Sequence, residues 1–358
     1  MRMIRRIFVY PDSWRAFAAI GGLFGGAAIL LTVLGNPVST GLCASCFLVN
    51  VAGAIGLHGS ATQSYLRPEI LGIVLGAFFA AAASKEFRVR GGSSPLLRFV
   101  GGGLILLGCE VFIGCPIKAL LRTAGGGAVG LVGLAGLSAG VLFSVPFLRD
   151  GFAMPSKTVL PEPAGLVFPG AAFLLLLASS AGASVFAPPA AGGGAHHAPF
   201  AVSAVAGLFF GAAGQRSRFC VTGSIQHAAI ARDFREAAGT LSFLAVALLL
   251  NAGLGSFLPT LAFEPGAHTD FFWAFLAMAM VGFGAILLAG CPFRQLVQAS
   301  TGDLDALAGV AGMLAAAGLS VSLGIGSSPA GVTGAGKLAV LFGWIFFLGL
   351  GIRNRRGE

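Results

Sequence analysis

Long apolar runs separated by short polar or glycine-rich intervals dominate the chain, and stretches such as 238–254 and 271–289 carry no charge at all. A helix that crosses a bilayer needs about 20 consecutive apolar residues. On that measure the pattern predicts ten spans, at 16–34, 69–84, 99–113, 128–146, 164–180, 200–213, 238–254, 271–289, 303–323 and 338–350. The short polar–apolar alternation of a membrane barrel is not the pattern seen. Four further segments, 40–57, 115–124, 217–231 and 291–300, are too short or too rich in glycine to span. They read as broken or re-entrant helices.

Composition strengthens this picture. Of 358 residues, 56% are hydrophobic and 10% charged, and the mean hydropathy is +0.90. Soluble domains carry about a quarter charged residues, so a soluble enzyme is excluded. The net charge of +9 comes from 22 basic and 13 acidic residues, and most of the basic ones flank apolar runs. Their meaning is topological rather than a sign of nucleic acid. With the N-terminus in the cytoplasm and the spans alternating, 18 basic residues fall inside, and Arg67, Lys118, Arg122 and Lys337 fall outside. Both termini are expected in the cytoplasm. The basic start, Met1 to Arg6, precedes an apolar run without a clean small-residue cleavage site, which reads as a retained first span. The 56 glycines suit close helix contact and helix breaks in a membrane.

The chain also repeats itself. Gly114-Cys115-Pro116-Ile117-Lys118-Ala119-Leu120 matches Gly290-Cys291-Pro292-Phe293-Arg294-Gln295-Leu296. Gly22-Leu-Phe-Gly-Gly26 precedes Cys43 and Cys46 as Gly207-Leu-Phe-Phe-Gly211 precedes Cys220. Each half reads span, cysteine segment, span, span, cysteine segment, span, and one linking span inverts the second half. The expected fold is an all-α integral membrane protein of about ten transmembrane helices and four short broken helices in two inverted repeats. Its parts are residues 1–160, a linking helix and loop at 161–199, the inverted repeat at 200–325, and a last helix with its tail at 326–358. Inverted repeats with broken helices near the midplane are a transporter architecture.

In both Gly-Cys-Pro segments a helix can begin at the proline, Pro116 or Pro292, because its missing N–H costs nothing there. Gly114 and Gly290 would supply the sharp turn before it. Such a start aims free N–H groups and the positive end of the helix dipole past the cysteine. Lys118 and Arg294 stand three residues on, and Arg122 and Gln298 seven on, along one face. Thiol, helix N-terminus and cation together make an anion-attracting element. Arg218, just before Cys220, either lines an inner mouth or anchors its helix at the interface. Cys43-Ala44-Ser45-Cys46 suits disulfide exchange as well as solute contact. No second Cys or His pair stands at ligand spacing, so no metal is expected. Cys109 has no counterpart in the second half and reads as packing. His58 and His227 read as structural hydrogen-bonding residues, and His196-His197 as solvated linker. Glu110 is a costly ionisable residue in a span, paired with a nearby Lys or Arg that the sequence does not single out. No P-loop or dinucleotide fingerprint is present, so ATP-driven transport by this chain alone has no support.

These motifs together resemble the YeeE/YedE sulfur-transport membrane proteins, most closely the branch assigned to selenium transport. The resemblance runs over about residues 15–350. It is carried by Gly35-Asn36-Pro37, Cys43-Ala-Ser-Cys46-Phe47, Gly53-Ala-Ile-Gly-Leu-His58, Tyr65-Leu-Arg-Pro-Glu-Ile70, Glu86-Phe87, Arg90-Gly-Gly-Ser-Ser94, Gly114-Cys-Pro116, Gln215-Arg-Ser-Arg218, Cys220 and Gly290-Cys-Pro292. It implies an inner-membrane permease that relays a small selenium or sulfur solute, a selenium species or a thiosulfate-like anion, past thiols at helix breaks. That role falls on Cys115, Cys220 and Cys291, with Cys43 or Cys46 in the fourth segment. Where the family leads one to expect an Arg-Asp pair after the third cysteine, this chain has Gln226-His227. The expected partners are the solute, membrane lipid and, as a further candidate, a cytoplasmic sulfurtransferase-like protein. Nucleic acid, cofactor and catalytic activity are not expected. The alternative reading is a membrane thiol–disulfide or sulfur-transfer protein built on Cys43 and Cys46.

Overall fold

The structure, a computed structural model, describes residues 13–182, 191–260 and 266–354. Almost everything in it is helix: α1 (Trp14–Val33), α2 (Ala44–Ala54), α3 (Pro68–Ala83), α4 (Pro95–Phe112), α5 (Pro116–Ala124), α6 (Ala128–Arg149), α7 (Glu162–Ser180), α8 (Phe200–Ser217), α9 (Val221–Ile230), α10 (Arg235–Gly253), α11 (Phe271–Leu287), α12 (Pro292–Ser300), α13 (Leu304–Ser322) and α14 (Gly334–Arg353). A single two-residue antiparallel ladder joins β1 (Arg90–Gly91) to β2 (Thr158–Val159). Local chemistry sets many of the helix starts. The side chains of Ser13, Asp303 and Thr333 cap α1, α13 and α14, each satisfying one of the free N–H groups of a first turn. Proline opens α3, α4, α5 and α12.

Eight stretches of described residues are long and apolar enough to cross a membrane. Two of these, Pro95–Ala124 and Phe271–Ser300, are 30 residues long and contain the breaks between α4 and α5 and between α11 and α12. At 16 residues, α3 is a shorter apolar helix, and α8 closes on the polar turn Gln215-Arg216-Ser217. These two pack against each other along their length, as do α1 with α10, α4 with α13, and α6 with α11. The pairs approach so closely that side chains are excluded at the crossings. A Cβ at Gly76 would stand 2.1 Å from the Leu208 carbonyl oxygen, and one at Gly140 would stand 1.8 Å from that of Ala279. Small residues that bring backbones into contact are how helices associate without a hydrophobic drive. Outside the pairs, α7 lies on α3, and α14 on α4 and α11.

The bundle has two ends. Arg90 and Lys157 pair with Asp303 at one of them, and Arg216 with Glu86. The Asp305 carboxylate there accepts from the backbone N–H groups of Gly92 and Ser93. This basic end gathers several of the residues expected inside. Arg2, Arg5, Arg6, Arg355 and Arg356 lie outside the described residues. At the opposite end, Gly127 bridges to Thr260, and the Asp270 carboxylate accepts from Val332 N. α2 and α5 run toward this opposite end, where the α2 C-terminal loop meets α13 at Gly318 and Leu258 N donates to Gly125 O. α9 and α12 run toward the basic end, where Arg88 N donates to Thr301 O.

Candidate functional site

Each of the four short helices begins at a cysteine. Cys43, Cys115, Cys220 and Cys291 are the N-cap residues of α2, α5, α9 and α12, all in extended backbone. Because two of these helices run to each end, their N-termini meet in the middle of the bundle. The first-turn N–H groups of a helix have no intrahelical partner and carry its positive dipole end. Four such ends converge on a set of sulfurs.

The turn before each Gly-Cys-Pro is built differently from the expectation. The left-handed residues are Ile113 and Ala289, at φ 60° and 64°, not Gly114 and Gly290. What the glycines supply is room. A Cβ at Gly114 would come within 2.7 Å of the Lys118 side chain, and one at Gly290 within 2.9 Å of that of Arg294. Pro116 and Pro292 open the new helices as expected, so each cation stem folds back over its own break.

The sulfurs form two groups. In the first, Cys43 Sγ and Cys46 Sγ are 2.8 Å apart. Cys115 lies within bonding reach of Cys43, and Lys118 Nζ donates to Cys46 Sγ over 3.7 Å. Cys43, Cys115 and Lys118 are all buried. Cys109 packs beside this group against Ser45, and Glu110 is within electrostatic range of Cys46 and Lys118. In the second group Cys220 Sγ donates to Cys291 Sγ over 3.7 Å, and Thr222 Oγ1 stands 3.1 Å from Cys220 Sγ. The two groups meet through Cys115 and Cys291, which are in electrostatic range of each other. The second group opens into a cavity of about 280 Å³ whose walls include Cys220, Arg218, Arg294, His227 and Glu236.

The other cations divide by task. Arg122 is buried and donates to Phe112 O at 2.9 Å and Gly266 O at 2.7 Å, with its guanidinium over the Phe112 ring. It therefore serves a carbonyl orphaned where α4 breaks, a requirement of any helix end, and ties that break to the segment before α11 through Gly266 O. Gln298, seven residues after its cysteine like Arg122, does the same for Ala289 O, and Gln295 for Leu288 O. Arg294 lines the cavity and donates to Gly214 O over 3.4 Å, while Arg218 closes α8 in left-handed backbone. Where the Arg-Asp pair was expected, His227 Nδ1 meets Glu236 Oε2 at 3.1 Å across α9 and α10. His58 bonds the Val49 carbonyl, the structural role its position suggested.

Glu236 and an aromatic cluster escaped the sequence reading. Phe24 packs against Phe219 at 4.9 Å, Phe210 at 5.1 Å and Phe293 at 6.0 Å, walling the second sulfur group. The adjacency of Phe219 to Cys220, and of Phe293 to Pro292, was the signal available. Among the described residues no group of three or more His, Cys, Asp or Glu could hold a metal ion. Comparison with known protein families finds no matching family model, and comparison with curated proteins finds no match.

Proposed function

We propose that this chain is a permease of the bacterial inner membrane for a small selenium- or sulfur-containing anion. The solute passes the centre by hydrogen bonding to thiols at helix breaks, without covalent change. The observation that carries the reading is the placement of Cys43, Cys115, Cys220 and Cys291 at four helix N-termini that meet centrally. Thiols are weak donors, and the N-terminal dipoles favour negative charge. A soft anion is thus held well enough to enter and loosely enough to leave, the compromise that conduction requires.

The inverted repeat belongs to this reading. Helix packing supports it, because the principal contacts between the two halves have counterparts under their exchange. α1 with α10 answers α8 with α3, α6 with α11 answers α13 with α4, and α5 with α10 answers α12 with α3. In the full assignment all ten long helices cross, the basic end is cytoplasmic, and the cavity at Cys220 faces a cytoplasmic acceptor such as a sulfurtransferase-like protein. The second reading, thiol–disulfide or sulfur transfer, is favoured by one observation, the 2.8 Å approach of Cys43 and Cys46. Mass spectrometry after turnover separates the two, since a permease leaves both cysteines reduced and unmodified.

The decisive test is uptake of thiosulfate or selenite into proteoliposomes. Cys115→Ala and Cys291→Ala are each expected to slow uptake about tenfold or more, equivalent to about 1.4 kcal/mol of barrier. Uptake at the wild-type rate by either variant would remove the relay.

A further inference from the structure

A second buried polar assembly lies beside the first sulfur group, and nothing in the relay uses it. Glu69, in the first turn of α3, is fully buried. Its Oε1 accepts from Asn36 Nδ2 and from Ser203 Oγ, both at 2.9 Å, while its Oε2 is buried with no hydrogen-bond partner. Arg67, 1% exposed, does not bond the carboxylate. Asn36 stands between them and accepts from Arg67 Nη1 over 3.4 Å. The guanidinium instead turns to α2: its Nε donates to Asn50 Oδ1 at 2.7 Å, and its centre lies 4.8 Å from the Phe47 ring, beside Cys46. Arg67 is therefore within electrostatic range of both Glu69 and the Cys43–Cys46 pair.

A carboxylate kept in a membrane interior without a direct counter-ion is costly and marks ion or proton pathways. The ligand here is a proton. Both neighbours of Oε1 are donors, the wrong polarity for a metal cation, and a proton on Oε2 needs no cavity. We propose, on the permease reading, that Glu69 is the coupling residue, taking up a proton when a solute anion binds at Cys43 and Cys46. Arg67 links the two events. Ionised Glu69 offsets the Arg67 charge; once Glu69 is protonated, that charge is left to act on an anion at the thiols. Linkage is reciprocal, so anion binding draws a proton onto Glu69 and the two move together. The other titratable groups facing this site are Tyr65 and His197, whose rings stack 4.7 Å apart, with Cys43 and Cys46 on α2. Arg216 on α8, Arg294 on α12 and Glu162 on α7 stand at the other end of α3, near Glu86, Gly214 and Phe87.

The test begins with wild-type protein in nanodiscs, in weakly buffered solution with a pH-sensitive dye. Thiosulfate is the probe because it is fully ionised at neutral pH and brings no proton of its own. Its addition is expected to remove about one proton from solution per anion bound. Glu69→Gln abolishes that uptake, and Glu69→Asp, which restores a carboxyl, retains it. In proteoliposomes with the membrane potential clamped at zero, because a dianion with one proton carries net charge, a gradient of about one pH unit then accumulates thiosulfate about tenfold for one proton per cycle, the equivalent of 1.36 kcal/mol. Glu69→Gln removes the accumulation. Wild-type protein that binds and carries thiosulfate with no proton uptake overturns the coupling and leaves the permease reading intact. Wild-type protein that neither binds nor carries thiosulfate or selenite overturns the permease reading, and the coupling with it. A Glu69→Gln protein that still takes up the proton assigns the role elsewhere and also overturns the proposal.

Discussion

The two Gly-Cys-Pro breaks share one motif and stand in different surroundings. Around Cys115, among the described residues, no cavity reaches the break cysteines: Cys43 and Cys115 are buried, Lys118 lies on the half-buried Cys46, and Arg122 is committed to backbone carbonyls. Around Cys291 the partner sulfur, Cys220, opens into a cavity with Arg218 and Arg294 in its walls. A single local sequence thus fixes a cysteine at a helix N-terminus with a cation folded over the break, while the elements packed around it decide whether the thiol meets water.

The sharpest way to break this comparison is to measure the thiols directly. Single-cysteine variants retaining only Cys220 or only Cys115, treated with a small water-soluble maleimide, are expected to differ in labelling rate by about tenfold or more, with Cys220 faster, because reaction requires access of the reagent to a thiolate. Equal rates would mean that the asymmetry is not a property of the protein in its membrane. Saturating thiosulfate should slow labelling of Cys220; labelling unaffected by the solute would place the cavity off the pathway.

A smaller effect compares how the two broken helices are finished. Arg122→Met strands the Phe112 carbonyl in the interior, and a buried polar group left unpaired costs about 1–3 kcal/mol. Gln298→Leu removes one bond at an exposed position, where a net hydrogen bond is worth about 0.5–1.5 kcal/mol. Thermal unfolding in detergent should therefore rank Arg122→Met as the more destabilised. The reverse order would mean that the charge of Arg122, not its capping, is what the site keeps.

Much of this was legible in the sequence because it follows local rules. A helix lies in each of the ten long apolar runs and in each of the four short segments, since run length and proline position act over a few residues. Glu110 stood out for the same reason: an ionisable residue inside an apolar run is conspicuous in one dimension. The Glu69 assembly was missed although its motif was noticed. Its partners Asn36 and Ser203 are separated from it by 33 and 134 positions, and no periodicity in the chain reports such distances. The His227–Glu236 contact was hidden similarly, because it joins two helices across the Ala231–Phe234 turn. The glycines of the two breaks were seen, but their reason was not, since the need for room at Gly114 exists only once Lys118 has folded back.

The same long-range pairing distinguishes the two connections that lead from a short helix into the next long one. Between α2 and α3 the chain is tied by the buried Arg67–Asn36–Glu69 assembly; between α9 and α10 it is tied at the surface, where Arg235 Nη2 meets Asp233 Oδ2 at 2.6 Å. Arg235 holds the Asp233 carboxyl down to about 2, mainly by hydrogen bonding to the ionised form. A carboxyl depressed in the folded state adds stability above its ordinary value of about 3.9 and loses it as the pH falls through about 2. The pair is exposed, so salt screens it and the effect is the smallest expected here. Asp233→Asn should lower the melting temperature slightly at neutral pH and low salt, and the difference from wild type should vanish at about pH 2 or in high salt. A difference that survives both would show that the Asp233 turn holds α9 by its backbone geometry and not by charge, making the two connections more alike than their burial suggests.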